Sequence, residues 1–156
     1  MLTPTNDRQR LGSDHGFTLP EVMVTILIVG VLLAAGVPTY RGARDRANDS
    51  AARAALHDGL VTAWIIYIDD LDFDDADGAG MATGEPSMTF IDAPGVSASG
   101  EQLSVATGAG GSTWGAAVMS DSGTCFYVRT NGTDATVYGS STSLACSGTA
   151  ALTIPG

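Results

Sequence analysis

The chain has no lysine: its seven basic residues are all arginine, set against 17 carboxylates, for a formal net charge of -10 over 156 residues. So few cations repel phosphate backbones, which excludes sequence-general nucleic-acid binding by the whole surface and disfavours partners reached through basic patches. Histidine is nearly absent too, with His15 and His57 alone, and no GxSxG, HExxH, P-loop or dinucleotide fingerprint occurs. Ser120-Asp121-Ser122 has no base beside it in the sequence. Enzymatic readings therefore lack parts, and no cofactor is implied. Charged residues make up only 15% of the chain and aromatic residues 6%, yet 44% are apolar. The mean hydropathy is positive, so the apolar residues are concentrated somewhere.

They are concentrated in Val22 to Tyr40, VMVTILIVGVLLAAGVPTY, a 19-residue run without a charge. As a helix it spans roughly the ~30 Å hydrocarbon core of a bilayer. A buried core helix is the alternative, but the run lacks the polar stripe of an amphipathic helix. Glu21 sits at its near edge and Pro38 near its far end. An acidic residue at the mouth of such a segment is a functional candidate by default. Upstream, Asp14-His15-Gly16-Phe17-Thr18-Leu19-Pro20-Glu21 turns from polar to apolar at the glycine. Cleavage between Gly16 and Phe17 would place a new α-amino cation about one helical turn from Glu21, for pairing within a chain or between neighbours.

The stretch GFTLPEVMVTILIVGVLLAAGVPTY resembles the class III signal peptide and N-terminal helix of type IV pilins and pseudopilins. The resemblance implies that a membrane-embedded prepilin peptidase cuts after Gly16 and N-methylates Phe17. It also implies that Glu21 neutralises the Phe17 amine of an adjacent subunit and sets the filament register. Pro38 matches the position around which the pilin helix becomes irregular. The rivals are a Sec signal peptide cut near Ala34-Ala35-Gly36 and an uncleaved anchor; neither explains Gly16-Phe17 and Glu21 together. Arg41, Arg44, Arg46 and Arg53 follow the run, whereas Arg8 and Arg10 in the leader are balanced by Asp7 and Asp14. Arginine counts alone would reverse the pilin orientation, but the two cysteines need an oxidising compartment, so the leader is assigned to the cytoplasm.

Beyond Tyr40, Ala43, Ala47, Ala51, Ala55, Leu56, Leu60, Ala63, Trp64 and Tyr67 recur at helical spacing. One helix is expected from about Pro20 to Ile68, locally irregular near Pro38, with Gly42 and Gly59 as weak points. Arg41 with Asp45, and Asp49 with Arg53, are four apart and would add local support. Six carboxylates follow, Asp69, Asp70, Asp72, Asp74, Asp75 and Asp77. The expectation is a solvated connecting loop; the sharper reading is a Ca²⁺ site drawn from Asp70, Asp72, Asp74, Asp75 and Asp77, although the spacing is not that of an EF-hand.

Short β-type runs then appear at Ser87–Ile91, Gln102–Thr107, Thr113–Met119, Thr124–Thr130 and Thr136–Gly139. Asn131-Gly132 between the last two predicts a two-residue type I′ hairpin. Trp64, Tyr67, Phe90, Trp114, Phe126 and Tyr127 are core or sheet-face candidates, and His57 a helix-surface residue. Cys125 and Cys146 bracket the hairpin and read as one disulfide, contributing roughly 3 kcal/mol in the chain-entropy model. In pilins such a bridge delimits an exposed loop, which by resemblance puts surface contact at Gly132 to Leu144.

The expected fold class is α+β: a long N-terminal helix packed by its C-terminal half on a small antiparallel sheet, pilin-like. The expected organisation is a leader at 1–16, a transmembrane or filament-core helix at 17–41 and a head at 42–156. Within the head, a helix fills 42–68, an acidic loop 69–80 and a β-region 87–156. The function this implies is a structural subunit of a type IV pilus or related filament. The implied partners are prepilin peptidase, other copies and other pilins, with the helix held in the cytoplasmic membrane before assembly, the head outside, and no direct nucleic-acid contact. Alternatives are a pseudopilin of a type II secretion system, a subunit for competence DNA uptake, and a membrane-anchored extracytoplasmic binding module.

Overall fold

The structure is a computed structural model that describes residues 16–133, 136–142 and 145–155. The chain divides into two units, residues up to Tyr40 and residues from Arg41 onward, and helix α1 (Leu19–Asp70) contributes to both.

In the first unit α1 opens on Thr18, whose carbonyl accepts the N–H groups of Glu21 (3.0 Å) and Val22 (3.2 Å). The Glu21 carboxylate reaches back to the Thr18 N–H at 3.5 Å. This is the return half of a capping box, Thr18-Leu19-Pro20-Glu21. Pro20 is harmless there, because first-turn N–H groups have no intrahelical partner. Thr25 and Thr39 fold their hydroxyls onto the carbonyls of Val22 (2.8 Å) and Ala35 (3.4 Å), so neither needs water. Helix α1 runs without a break through Pro38, where an irregularity was expected.

In the second unit a five-stranded sheet has the order β1 (Thr89–Asp92), β2 (Gln102–Thr107), β3 (Trp114–Met119), β4 (Cys125–Thr130) and β5 (Val137–Ser141). Alternation sends Leu103, Val105, Ala116, Val118, Phe126 and Val128 to one face, where they cluster with Ala52, Leu56, Leu60 and Ala63 of α1. The opposite face gathers Ala117, Cys125 and Tyr127 against Cys146, Ala151 and Ile154. Here the short helix α3 (Gly148–Leu152) closes the sheet, capped by the Ser147 hydroxyl, which accepts from the Ala150 N–H. Strands β3 and β4 are buried on both sides, which explains why they read as near-continuous apolar runs rather than alternating ones.

The architecture is the expected α+β one, with differences in detail. The sheet is mixed, because β1 pairs with β2 in parallel while the other pairings are antiparallel. No tight turn joins β1 to β2. Residues 93–101 run back along the sheet, held by Ala93 N–H to Val105 O (2.8 Å) and Ser97 N–H to Cys146 O (2.7 Å).

The buried row on α1 is Ala52, Leu56, Gly59, Leu60, Thr62 and Ala63, whereas Ala43, Ala47 and Ala51 are exposed. A four-residue step drifts around a 3.6-residue helix, and alanine is too small to anchor a face by itself. Gly59 is a contact point rather than a weakness: a Cβ there would stand 2.5 Å from Leu103 Cδ2.

The acidic passage is only in part a solvated loop. Asp69 and Asp70 belong to α1, and Gly78–Gly84 form a second helix, α2. Between the two helices Phe73 and Ala76 are fully buried, as is Met81 within α2. The Phe73 ring lies 4.6 Å from Tyr67 and 6.0 Å from Trp64 between centroids, and Trp114 Nε1–H donates to Ala76 O at 3.0 Å. Carboxylates with single apolar residues among them mask the anchors in a sequence scan.

Strands β4 and β5 do form a hairpin, but Arg129 pairs with Val137, so the connection is longer than Asn131-Gly132. Asn131 Oδ1 instead accepts the Thr133 N–H at 3.2 Å, an Asx turn. Gly132 has φ +76° with the Tyr67 ring directly against it, a place only glycine fits.

Phe73→Ala leaves a cavity against the Trp64 and Tyr67 rings and is expected to cost about 3–4 kcal/mol. Urea unfolding of the detergent-solubilised chain, followed by the fluorescence of Trp64 and Trp114, measures it.

Candidate functional site

The N-terminal segment of the described chain is exposed from its first residue. Gly16 and Phe17 precede the helix in non-helical backbone, and Phe17 is 77% exposed. Glu21 is held one turn inside by the capping box described above. From there to Tyr40 the apolar side chains point outward all round, with Ile26, Leu27 and Leu32 each about two-thirds exposed. A helix apolar on every side must be covered by lipid or by other helices. The helix is long and apolar enough to cross a membrane, by length and composition. Pro38 has no N–H to give to the carbonyl of Ala34, and residues 1–15, expected to form most of the leader, lie outside the described residues.

In the second unit Cys125 and Cys146 form the disulfide, with Cα atoms 5.6 Å apart. It ties the segment before α3 to the start of β4 on the sheet face away from α1. Tyr127 beside it donates its hydroxyl to Ala145 O at 3.3 Å, and burial pushes its pKa up. Of the surface stretch Gly132 to Leu144, residues 134–135 and 143–144 lie outside the described residues; Tyr138 on β5 is 58% exposed. His57 is exposed on α1.

The calcium candidates are spread over local tasks. Asp77 caps α2, accepting from Ala79 N–H (3.0 Å) and Gly80 N–H (2.8 Å), and Asp72 accepts the Asp74 N–H at 3.0 Å. Asp70, Asp74 and Asp75 are exposed. Among the described residues no three His, Cys, Asp or Glu side chains converge as a metal site would require.

Asp49 is a partner that sequence reading missed. Its carboxylate accepts from the Ser120 hydroxyl at 2.7 Å and the Ser122 hydroxyl at 2.5 Å, tying α1 to the β3–β4 turn. Those two hydrogen bonds, Ser122 foremost, with the charge of Arg53 in support, hold its pKa below the ordinary carboxylate value. The serines therefore do have a carboxylate beside them, one 71 residues away in sequence for Ser120. Among the described residues no histidine bonds to the trio, which acts as a structural clamp. Arg53 itself lies over the Phe126 ring, 4.6 Å from its centroid.

An apolar helix with an exposed aromatic start, leading into a disulfide-closed α+β unit, defines the class: an α+β protein whose apolar helix is left for lipid or other helices to cover. Residues 12–37 match the family described as the prokaryotic N-terminal methylation motif. The chain is 33% identical over 107 residues to the type IV wide pilus major component PilA4 of Thermus thermophilus, an alignment covering 65% of this chain and 79% of that protein. No solved structure matches. The chain belongs to the type IV pilin family.

Because the folded pKa of Asp49 is depressed, its contribution to stability is complete above the ordinary carboxylate range and is lost as pH falls through the folded value. Asp49→Asn is expected to cost about 1 kcal/mol at neutral pH, a charge-assisted contribution discounted for partial exposure. It should also flatten the loss of stability below about pH 4. Unfolding midpoints measured from pH 3 to 7 test both.

Proposed function

We propose that this chain is made as a prepilin, cut between Gly16 and Phe17 by a prepilin peptidase, methylated at the Phe17 amine, and assembled as a main-body subunit of a type IV pilus. The observation that carries the reading is the exposed Gly16-Phe17 junction with Glu21 fixed one turn away at the head of an apolar helix. Before assembly the helix rests in the cytoplasmic membrane, leader inward and head outward, where the compartment permits the Cys125–Cys146 bridge. In the filament the apolar helices cover one another. Glu21, entering that apolar interior, meets the Phe17 ammonium of an adjacent copy, since an unpaired carboxylate there would be costly. Pro38 supplies a point at which the helix can lose its regular hydrogen bonding during this transfer. The name of the Thermus relative, a major pilus component, supports the pilus reading over secretion or competence. So does the disulfide-closed hairpin with Tyr138 outward.

N-terminal sequencing and intact mass of the chain from sheared filaments test the processing. A methylated Phe17 start is expected; a start near Val37 would mean a secreted domain, and an intact Met1 an uncleaved anchor. Glu21→Gln separates charge from capping, because the amide still accepts the Thr18 N–H. Processing should persist while filament recovery falls at least about tenfold, as expected when an apolar interior loses one partner of an ion pair. Normal filament yield would rule out the charge-pairing role.

A further inference from the structure

Helix α1 covers only part of the sheet face turned towards it. Phe126 pairs with Ser140 and Val128 with Tyr138, and residues directly opposite on antiparallel strands project to the same side. Phe126 and Val128 are buried in the layer that holds Leu56 and Leu60, whereas Tyr138 is 58% exposed and Ser140 is exposed. The edge strand β5 therefore extends beyond the helix, and a groove of about 390 Å³ opens between the two. Leu56 and Phe126 are its buried lining; Tyr138, Gly139 and Ser140 line it from β5, and Arg53 lines it from α1.

Arg53 enters this groove as a cation without a close counter-ion. Its guanidinium lies over the Phe126 ring, 4.6 Å from the centroid, and a ring face is at most a weak acceptor, so the N–H donors remain to be satisfied. Asp49, one turn earlier on α1, is hydrogen-bonded to the Ser120 and Ser122 hydroxyls at the β3–β4 turn. Among the described residues Arg53 forms no ion pair. A guanidinium stacked on an aromatic ring with its planar fork uncommitted is suited to a carboxylate.

We propose that this groove binds a uronate unit of an acidic polysaccharide, its carboxylate on Arg53 and its ring on Tyr138. The volume suits one sugar ring, at the small end of the range for ligand sites. Arg53, Tyr138 and Ser140 are all exposed, so an occupant keeps one side in water. An aromatic acid would leave apolar surface wet there. A pyranose has an apolar C–H face for the Tyr138 ring and hydroxyls for water and for Ser140 Oγ, and the open groove lets the polymer continue past it. The site lies within the second unit and does not rest on the filament reading.

Equilibrium dialysis of the full chain in non-ionic detergent tests it, with trigalacturonate as probe and neutral maltotriose and benzoate as comparisons. Trigalacturonate should be retained, and Arg53→Gln should weaken its binding about tenfold or more by removing the charge-assisted contact. Raised salt should weaken it too, because the ion pair is exposed. Ser140→Glu sets a like charge at the rim without altering α1 and should abolish retention, which keeps the test decisive if Arg53→Gln lowers the melting temperature. Trigalacturonate retained no better than maltotriose, or retained equally by both variants, overturns the proposal. Stronger retention of benzoate overturns it as well, by assigning the groove to aromatic acids.

Discussion

A helix that shows apolar side chains on all sides cannot be left in water, and the rest of this protein follows from that constraint. Val22 to Tyr40 has no polar stripe and, among the described residues, no partner within its own unit. Its cover has to come from a bilayer or from other copies, and a protein that exchanges one for the other is an assembling subunit. The polar features of the segment suit such an exchange. Thr25 and Thr39 satisfy their hydroxyls on their own helix. Glu21 satisfies one oxygen on Thr18 and leaves the other for a partner. Nothing in the run needs water, and the proposed filament would bring a cation to the carboxylate at its edge.

The second unit solves a different problem, which is to hold a small sheet firmly onto the upper part of the same helix. Two apolar layers do this. One lies between α1 and the sheet, built on Leu56, Leu60, Leu103, Val118 and Phe126; the other lies between the sheet and α3, closed by Cys125–Cys146. Polar ties at the margins set the geometry. Asp49 takes two serine hydroxyls from the β3–β4 turn, and Trp114 donates across to the Phe73 segment. The carboxylates that make the chain so acidic are mostly at the surface. Beside the end of α1, Asp72 and Asp77 are spent on local backbone turns.

Much of this was legible in the sequence, for physical reasons that differ by element. The motif around Gly16-Phe17-Glu21 and the uncharged run can be read because both are contiguous in the chain, one matching a family motif and one an apolar helix. The strands were placed within two or three residues because turn-forming Gly, Ser and Asn separate β-branched and aromatic runs. What was hidden depends on contacts distant in sequence. Gly59 is a weak point by helix propensity alone, and its reason is Leu103 packed against it. Phe73 was masked by its acidic neighbours, and Asn131-Gly132 was read as a tight turn although Tyr67 packs against Gly132 and the loop is longer. The parallel pairing of β1 and β2 depends on a connecting segment held by Val105 and Cys146, which no local pattern encodes.

The central claim is that the apolar helix is covered all round by other copies once the filament has formed. Replacing Leu27 by cysteine and exposing intact filaments to a water-soluble maleimide tests it most directly, because both native cysteines are locked in the disulfide and give no background. The account predicts no labelling at position 27 until the filament is dissociated by detergent, alongside full labelling of a cysteine placed at the exposed Ser140. Labelling of position 27 in intact filaments at the rate of position 140 would contradict it.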